Sequence, residues 1–178
     1  MKRITVHDKT FELSIPFSEI DNAIAQISVQ MDHDLKGKDV VMLCILNGSF
    51  MFAADLMKKL TTPCRVTFVK VTSYQGTSSE GKVKELIGLN EDLKGKTVVI
   101  LEDIVDTGRT IQQITKTVLE REPSELKIAT MLFKPTACLV PVNLDYVGLE
   151  IPDDFIIGYG LDYDGFGRNL PDMYTLVK

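Results

Sequence analysis

Cysteine is scarce and scattered: Cys44, Cys64 and Cys138 are the three present, and no two are spaced as Cys-x-x-Cys. An odd count without that spacing argues against a disulfide framework or a thiolate zinc site, and for reduced thiols in a cytoplasmic protein. His7 and His33 are too few and too far apart for a histidine-based metal centre. No apolar run approaches the roughly 20 residues of a membrane helix, and the beginning, MKRITVHDKTFELSI, lacks the continuous apolar stretch of a signal peptide. No membrane association is therefore expected. Excess positive charge is missing too. A net charge of −5 argues against nucleic acid as a partner, which calls for a basic face. There are no repeats and no low-complexity tracts. Two common phosphate loops are also absent: there is no GxxxxGK[ST] and no GxGxxG after a strand, and the glycines of GYGLDYDGFG are differently spaced.

What remains is an ordinary globular composition, 44% apolar and 25% charged over 178 residues, enough for one domain with a sizeable core. ITVHDKTFELSI alternates about Asp8-Lys9 and predicts an N-terminal hairpin. SEIDNAIAQISVQMDHDL places Ile20, Ala23, Ile24, Ile27 and Met31 on one helical face, with Ser18 and Asp21 spaced as a capping pair. Residues 39–46, 65–71, 97–101 and 126–133 are apolar runs that read as buried strands. Helical patterns follow the first and third of them, SFMFAADLMKKL and TIQQITKTVLERE, the latter stopped by Pro123. TSYQGTSSEGK reads as a mobile loop, and VKELIGL returns from it as a strand. Past Pro141 the helical periods vanish, leaving the short strands YVGLEI, FIIGYG and MYTLV. The expectation is an α/β fold, a doubly wound parallel sheet with helices on both faces. Its core would span about 36–140, with a small irregular hood from about 1–16 and 141–178.

The most informative stretch is VVILEDIVDTGRTI, residues 98–111, where an apolar strand runs into three carboxylates and then Thr-Gly-Arg-Thr. Ligands of open α/β sheets bind outside the carboxyl ends of the strands, and a helix beginning there presents free N–H groups that suit phosphate. Gly108 allows close backbone approach, and the hydroxyls of Thr107 and Thr110 can donate to phosphate oxygens. The acids need a different partner: vicinal hydroxyls, or a divalent metal with oxygen ligands. A ribose 5-phosphate satisfies both halves. Its phosphate would lie on the Thr-Gly-Arg-Thr nest and its hydroxyls on Glu102 and Asp103, leaving Asp106 near the anomeric carbon.

VVILEDIVDTGRT resembles the phosphoribosyl-diphosphate signature of the type I phosphoribosyltransferases. ILNGSFMFAADL, SYQGTSSEGKV, LFKP and YVGLEIPDDFIIGYGLDYDGFGRNLP are similar, in order and spacing, to the hypoxanthine-guanine branch of that family. The resemblance implies transfer of ribose 5-phosphate from phosphoribosyl diphosphate to a 6-oxopurine, with Mg²⁺ as cofactor and release of pyrophosphate. It implies that Glu102 and Asp103 hold the ribose hydroxyls and the metal environment, and that residues 106–110, Arg109 among them, cradle the 5-phosphate. Asp106 would exchange the proton at purine N7. Lys134 would donate to the purine 6-oxygen, with Phe155 stacking on the base and Ile156 beside it. Asp162 would be a metal-linked acid at the base site and Arg168 a pyrophosphate ligand. Ser73 and Tyr74 would belong to a lid closing over the pyrophosphate. An ammonium only donates, so Lys134 suits a 6-oxo purine rather than adenine.

One departure stands out. Where the family usually has Leu-Lys-Gly or Leu-Arg-Gly, this chain has Leu46-Asn47-Gly48. The resemblance implies a cis peptide there, with Asn47 and Gly48 offering backbone amides to pyrophosphate. It also implies a homodimer or homotetramer. A regulatory RNA-binding protein on the same fold is the rival reading; it predicts a basic face and requires neither Lys134 nor Phe155.

Overall fold

The computed structural model describes residues 2–73 and 83–177. Strands β1 (Arg3–Val6) and β2 (Lys9–Ile15) form the expected hairpin, turning at His7 and Asp8. Helix α1 (Phe17–Asp34) buries Ile20, Ala23, Ile24, Ile27 and Met31, the stripe that its periodicity predicts. The capping pair, however, is not where the sequence suggested. Ser18 and Asp21 lie inside the helix, and Pro16 stands at the N-cap. A Pro has no hydroxyl or carboxylate to offer, and the free N–H of Phe17 is taken by Asp172 Oδ1 at 3.0 Å, from the far end of the chain.

β3 (Val40–Leu46), α2 (Phe50–Lys59), β4 (Cys64–Ser73) and β5 (Val83–Ile87) follow, then β6 (Thr97–Val105), α3 (Arg109–Leu119), β7 (Glu125–Phe133) and β8 (Tyr146–Glu150). The six-stranded sheet has the order β5-β4-β3-β6-β7-β8; all neighbours are parallel except β5, which runs antiparallel to β4. Because side chains alternate along a strand, Val41, Leu43, Val98 and Ile100 meet Ile111, Ile114 and Val118 of α3 on one face. Val40, Met42, Val99 and Leu101 meet α1 and α2 on the other. This is the doubly wound sheet with helices on both faces.

Two sequence expectations need correction. Residues 65–71 are not buried throughout: β4 keeps Val69 inside but leaves Val66 and Phe68, on the opposite face, exposed. Tyr146–Glu150, assigned to the hood, instead pairs with β7 and completes the main sheet. The hood is a four-stranded antiparallel sheet, β1-β2-β10-β9, in which β9 is Ile156–Ile157 and β10 is Met173–Leu176. Phe11, Ile157 and Tyr174 form its own small core. Among the described residues, no helix is long and apolar enough to cross a membrane.

Candidate active site

The apolar half of β6 is buried on both faces, and the ladder carries its end into the acids: Glu102 still pairs with Thr130 of β7 and is 7% exposed. Burial pushes the Glu102 carboxyl well above its usual pKa range, and the charge of neighbouring Asp103 pushes the same way. Glu102 Oε1 accepts the Asp103 N–H at 3.2 Å, and Asp103 Oδ1 accepts the Ile104 N–H at 2.9 Å. The other Asp103 oxygen lies against the α-carbon of Gly48, so any side chain at 48 would overlap it. The Leu46–Asn47 peptide is cis, as the resemblance implied.

Beyond Val105 the chain turns into α3 through Gly108, the N-cap residue, at φ 78°. A left-handed backbone there suits glycine, and the packing behind the loop adds a second reason for it. A Cβ at Gly108 would stand 3.0 Å from Val140 and Val142 and 3.1 Å from Cys138 Sγ. The loop after β7 packs against the nest from behind, and Leu139 N–H donates to Thr107 O at 3.0 Å. In front of the nest lies a cavity of about 230 Å³, lined among others by Glu102, Asp106, Thr107, Gly108 and Thr110. Arg109 is exposed on the first turn of α3.

A second cavity, of about 310 Å³, adjoins Glu102 and Thr110 and is bounded by Asn47, Gly48, Asp103, Asp162 and Arg168. The last two form an ion pair at 2.6 Å. Arg168 also donates to Gly160 O at 2.7 Å, and the second Asp162 oxygen accepts the Gly165 N–H at 2.7 Å. Gly160 lies so close to the Gly48 carbonyl that a side chain there would run into it, which docks the hood onto the loop after β3. Two carboxylates on adjacent residues facing one cavity fit Mg²⁺, which binds through one or two carboxylates together with substrate oxygens. Among the described residues, no group of three or more His, Cys, Asp or Glu forms a complete protein cage.

The base side contains a surprise. Lys134 is buried, and its ammonium donates to Asp106 Oδ2 and to Asp153 Oδ1, each at 3.2 Å. The sequence reading supplied Lys134 and Asp106 but missed Asp153, which is one of two adjacent acids after Pro152 with nothing local to distinguish them. The Phe155 ring is 45% exposed, edge-on to Tyr163 at 5.9 Å and 6.2 Å from Phe11. Ile156 is buried and lines a separate cavity of about 260 Å³ with Ile15, Ile151 and Pro152. Ser73 ends β4, and Tyr74 lies outside the described residues.

Known proteins match this arrangement. Residues 16–164 match the family described as the phosphoribosyl transferase domain. A hypoxanthine-guanine phosphoribosyltransferase of Staphylococcus aureus is 38% identical over 96% of both chains. The hypoxanthine phosphoribosyltransferase of Escherichia coli is 41% identical over 94% of this chain and 96% of its own. Among solved structures, the hypoxanthine phosphoribosyl transferase of Trypanosoma cruzi superimposes with a TM-score of 0.88 at 34% identity, covering 98% of this chain and 95% of its own.

Proposed function

The chain belongs to the phosphoribosyl transferase family, and from that premise we propose that its acidic strand end, its phosphate nest and its clamped lysine divide the work of one reaction. That reaction is transfer of the 5-phosphoribosyl group from phosphoribosyl diphosphate to hypoxanthine or guanine, an enzymatic step of purine salvage giving IMP or GMP and pyrophosphate. The observation that carries the assignment is the position of Asp106. Its carboxylate lines the nest cavity and is also bonded to Lys134, so one side chain joins the phosphate side to the base side.

The 5-phosphate lies on the amides and hydroxyls of residues 106–110, with Arg109 adding positive charge from the first turn of α3. Glu102 and Asp103 accept from the ribose hydroxyls. When Mg²⁺ is bound, Glu102 and Asp103, with Asp162 nearby, hold it, and its charge neutralises the departing pyrophosphate. Asn47, Gly48 and Arg168 receive that pyrophosphate in the larger cavity. As the C1–oxygen bond to pyrophosphate breaks, an oxocarbenium-like centre develops, the purine N9 forms the new bond to C1, and Asp106 takes the N7 proton. Lys134 has three N–H groups, two of them directed at carboxylates, and gives the third to the 6-oxygen. Phe155 stacks on the base, with Ile156 next to it and Asp162 at the edge.

Val66 and Phe68 give β4 an apolar outer face, which suits assembly with a second copy into a homodimer or homotetramer. Three free cysteines suit a cytoplasmic setting. The deciding measurement is pyrophosphate release from phosphoribosyl diphosphate with hypoxanthine, guanine, xanthine, adenine and uracil in turn. Turnover is expected with hypoxanthine and guanine. Comparable turnover with adenine or uracil, or none with any base, would overturn the assignment.

A further inference from the structure

We propose that Asp153 is a positioning residue for substrate selection, which holds the Lys134 ammonium so that one N–H points at the 6-position of the bound purine. The inference rests on the assignment of Lys134 to that contact. The backbone of Lys134 is fixed at the end of β7, its N–H donating to Val105 O at 3.0 Å and its carbonyl accepting from Ala137 at 3.2 Å. Its side chain is 8% exposed, whereas its partners Asp106 and Asp153 are 47% and 62% exposed. They come from separate elements, the loop after β6 and the segment between β8 and β9. That second segment is itself anchored, by Ile151 N–H to Phe133 O at 2.8 Å and by a turn from Asp154 N–H to Pro152 O at 2.8 Å.

The three N–H bonds of an ammonium point to fixed corners of a tetrahedron. With one carboxylate partner the group still rotates about that contact, and the remaining donors have no set direction. A second carboxylate fixes the rotation and therefore the third donor. Asp153 has a further effect through charge. It shares the cation with Asp106, so the Asp106 carboxylate is less tightly bound to Lys134 and can turn toward the base. Asp153 itself is mostly exposed, and Asp106 remains to pair the buried ammonium without it, so the role of Asp153 should appear in recognition more than in folding.

The test is a double-mutant cycle in the full-length protein with Asp153→Ala, Lys134→Met and both together. Losing one charge-assisted hydrogen bond that orients a recognising donor should raise the KM for hypoxanthine by about tenfold. The preference for hypoxanthine over adenine in kcat/KM should fall by a similar factor. The KM for phosphoribosyl diphosphate and the melting temperature should stay where they are, and Asp153→Glu should recover part of the loss. In the Lys134→Met background, Asp153→Ala should add nothing. If Asp153→Ala leaves hypoxanthine KM and selectivity intact while Lys134→Met damages them, the positioning role is wrong and the Lys134 assignment stands. An undiminished Asp153→Ala effect in the Lys134→Met background would also overturn it. If Lys134→Met itself keeps full selectivity, the underlying assignment fails instead.

Discussion

Replacing Glu102 by Gln should make the ligand-free protein more stable and the enzyme nearly inactive. In the unfolded chain at neutral pH, Glu102 is ionised and hydrated. In the folded chain it must either keep its charge in a buried position beside Asp103 or take up a proton, and both alternatives are unfavourable. Two unit charges about 6 Å apart at an effective dielectric constant of about 20 repel by roughly 3 kcal/mol. The buried amide still needs hydrogen bonds, so the net gain should be smaller, about 1–2 kcal/mol, which for a chain of this size raises the melting temperature by roughly 2–8 °C. The pH dependence follows from linkage. Folding raises the pKa of this acid, so the penalty is absent in acid, grows as pH rises through the unfolded value near 4.5, and levels off above the folded value. The advantage of Glu102→Gln should thus be larger at pH 7.5 than at pH 5 and fade toward pH 4.5. Thermal melts of both proteins at several pH values, without ligand, measure it, and kcat/KM should fall by about 10²-fold or more if the proposed ribose contact is lost. A variant less stable than the parent at pH 7.5, or an advantage equally large at pH 4.5, would refute the reasoning.

Three further outcomes are expected. Asp106→Asn should lower kcat by about 10²-fold or more, with little change in binding of phosphoribosyl diphosphate, because the nest amides remain; single-turnover kinetics with a ligand titration separates the two effects. Gly48→Ala should force Asp103 from its place, so it should weaken pyrophosphate inhibition by about tenfold or more, on the scale of a misplaced contact at a reacting centre; product-inhibition assays measure this. The thiol of Cys44, pushed up to about 12 by burial in the core, should resist a thiol reagent in the native protein and react after denaturation, whereas the partly exposed Cys64 and Cys138 are open to faster labelling.

What could be read in advance was whatever adjacent residues settle between themselves. The acids and the nest occupy nine consecutive residues, 102–110, and the chemistry proposed for them follows from strand, acids, glycine and hydroxyls in that order. The buried stripes of α1 and α3 likewise follow from a 3.6-residue period, because a helix presents one face to whatever core is there. Periodicity does not say which segment covers that face. An apolar run at 65–71 looks the same whether its strand is covered on both faces or on one, so the exposure of Val66 and Phe68 was hidden. YVGLE carries no mark that sends it to β7 instead of the hood.

The sequence by itself determined a doubly wound sheet and the run of acids, glycine and hydroxyls at the end of β6, since these rest on spacing along the chain, while Lys134 stood out through the family resemblance. The tertiary structure decided who touches whom. Asp172 caps a helix that starts 155 residues earlier, Val140 and Val142 press on Gly108 and make it a glycine, and Asp103 does the same for Gly48. Lys134 joins Asp106 and Asp153 across the mouth of the site. These contacts exist only after distant segments have been brought together, because burying the apolar faces of strands and helices fixes where the loops end, and that position selects each polar partner.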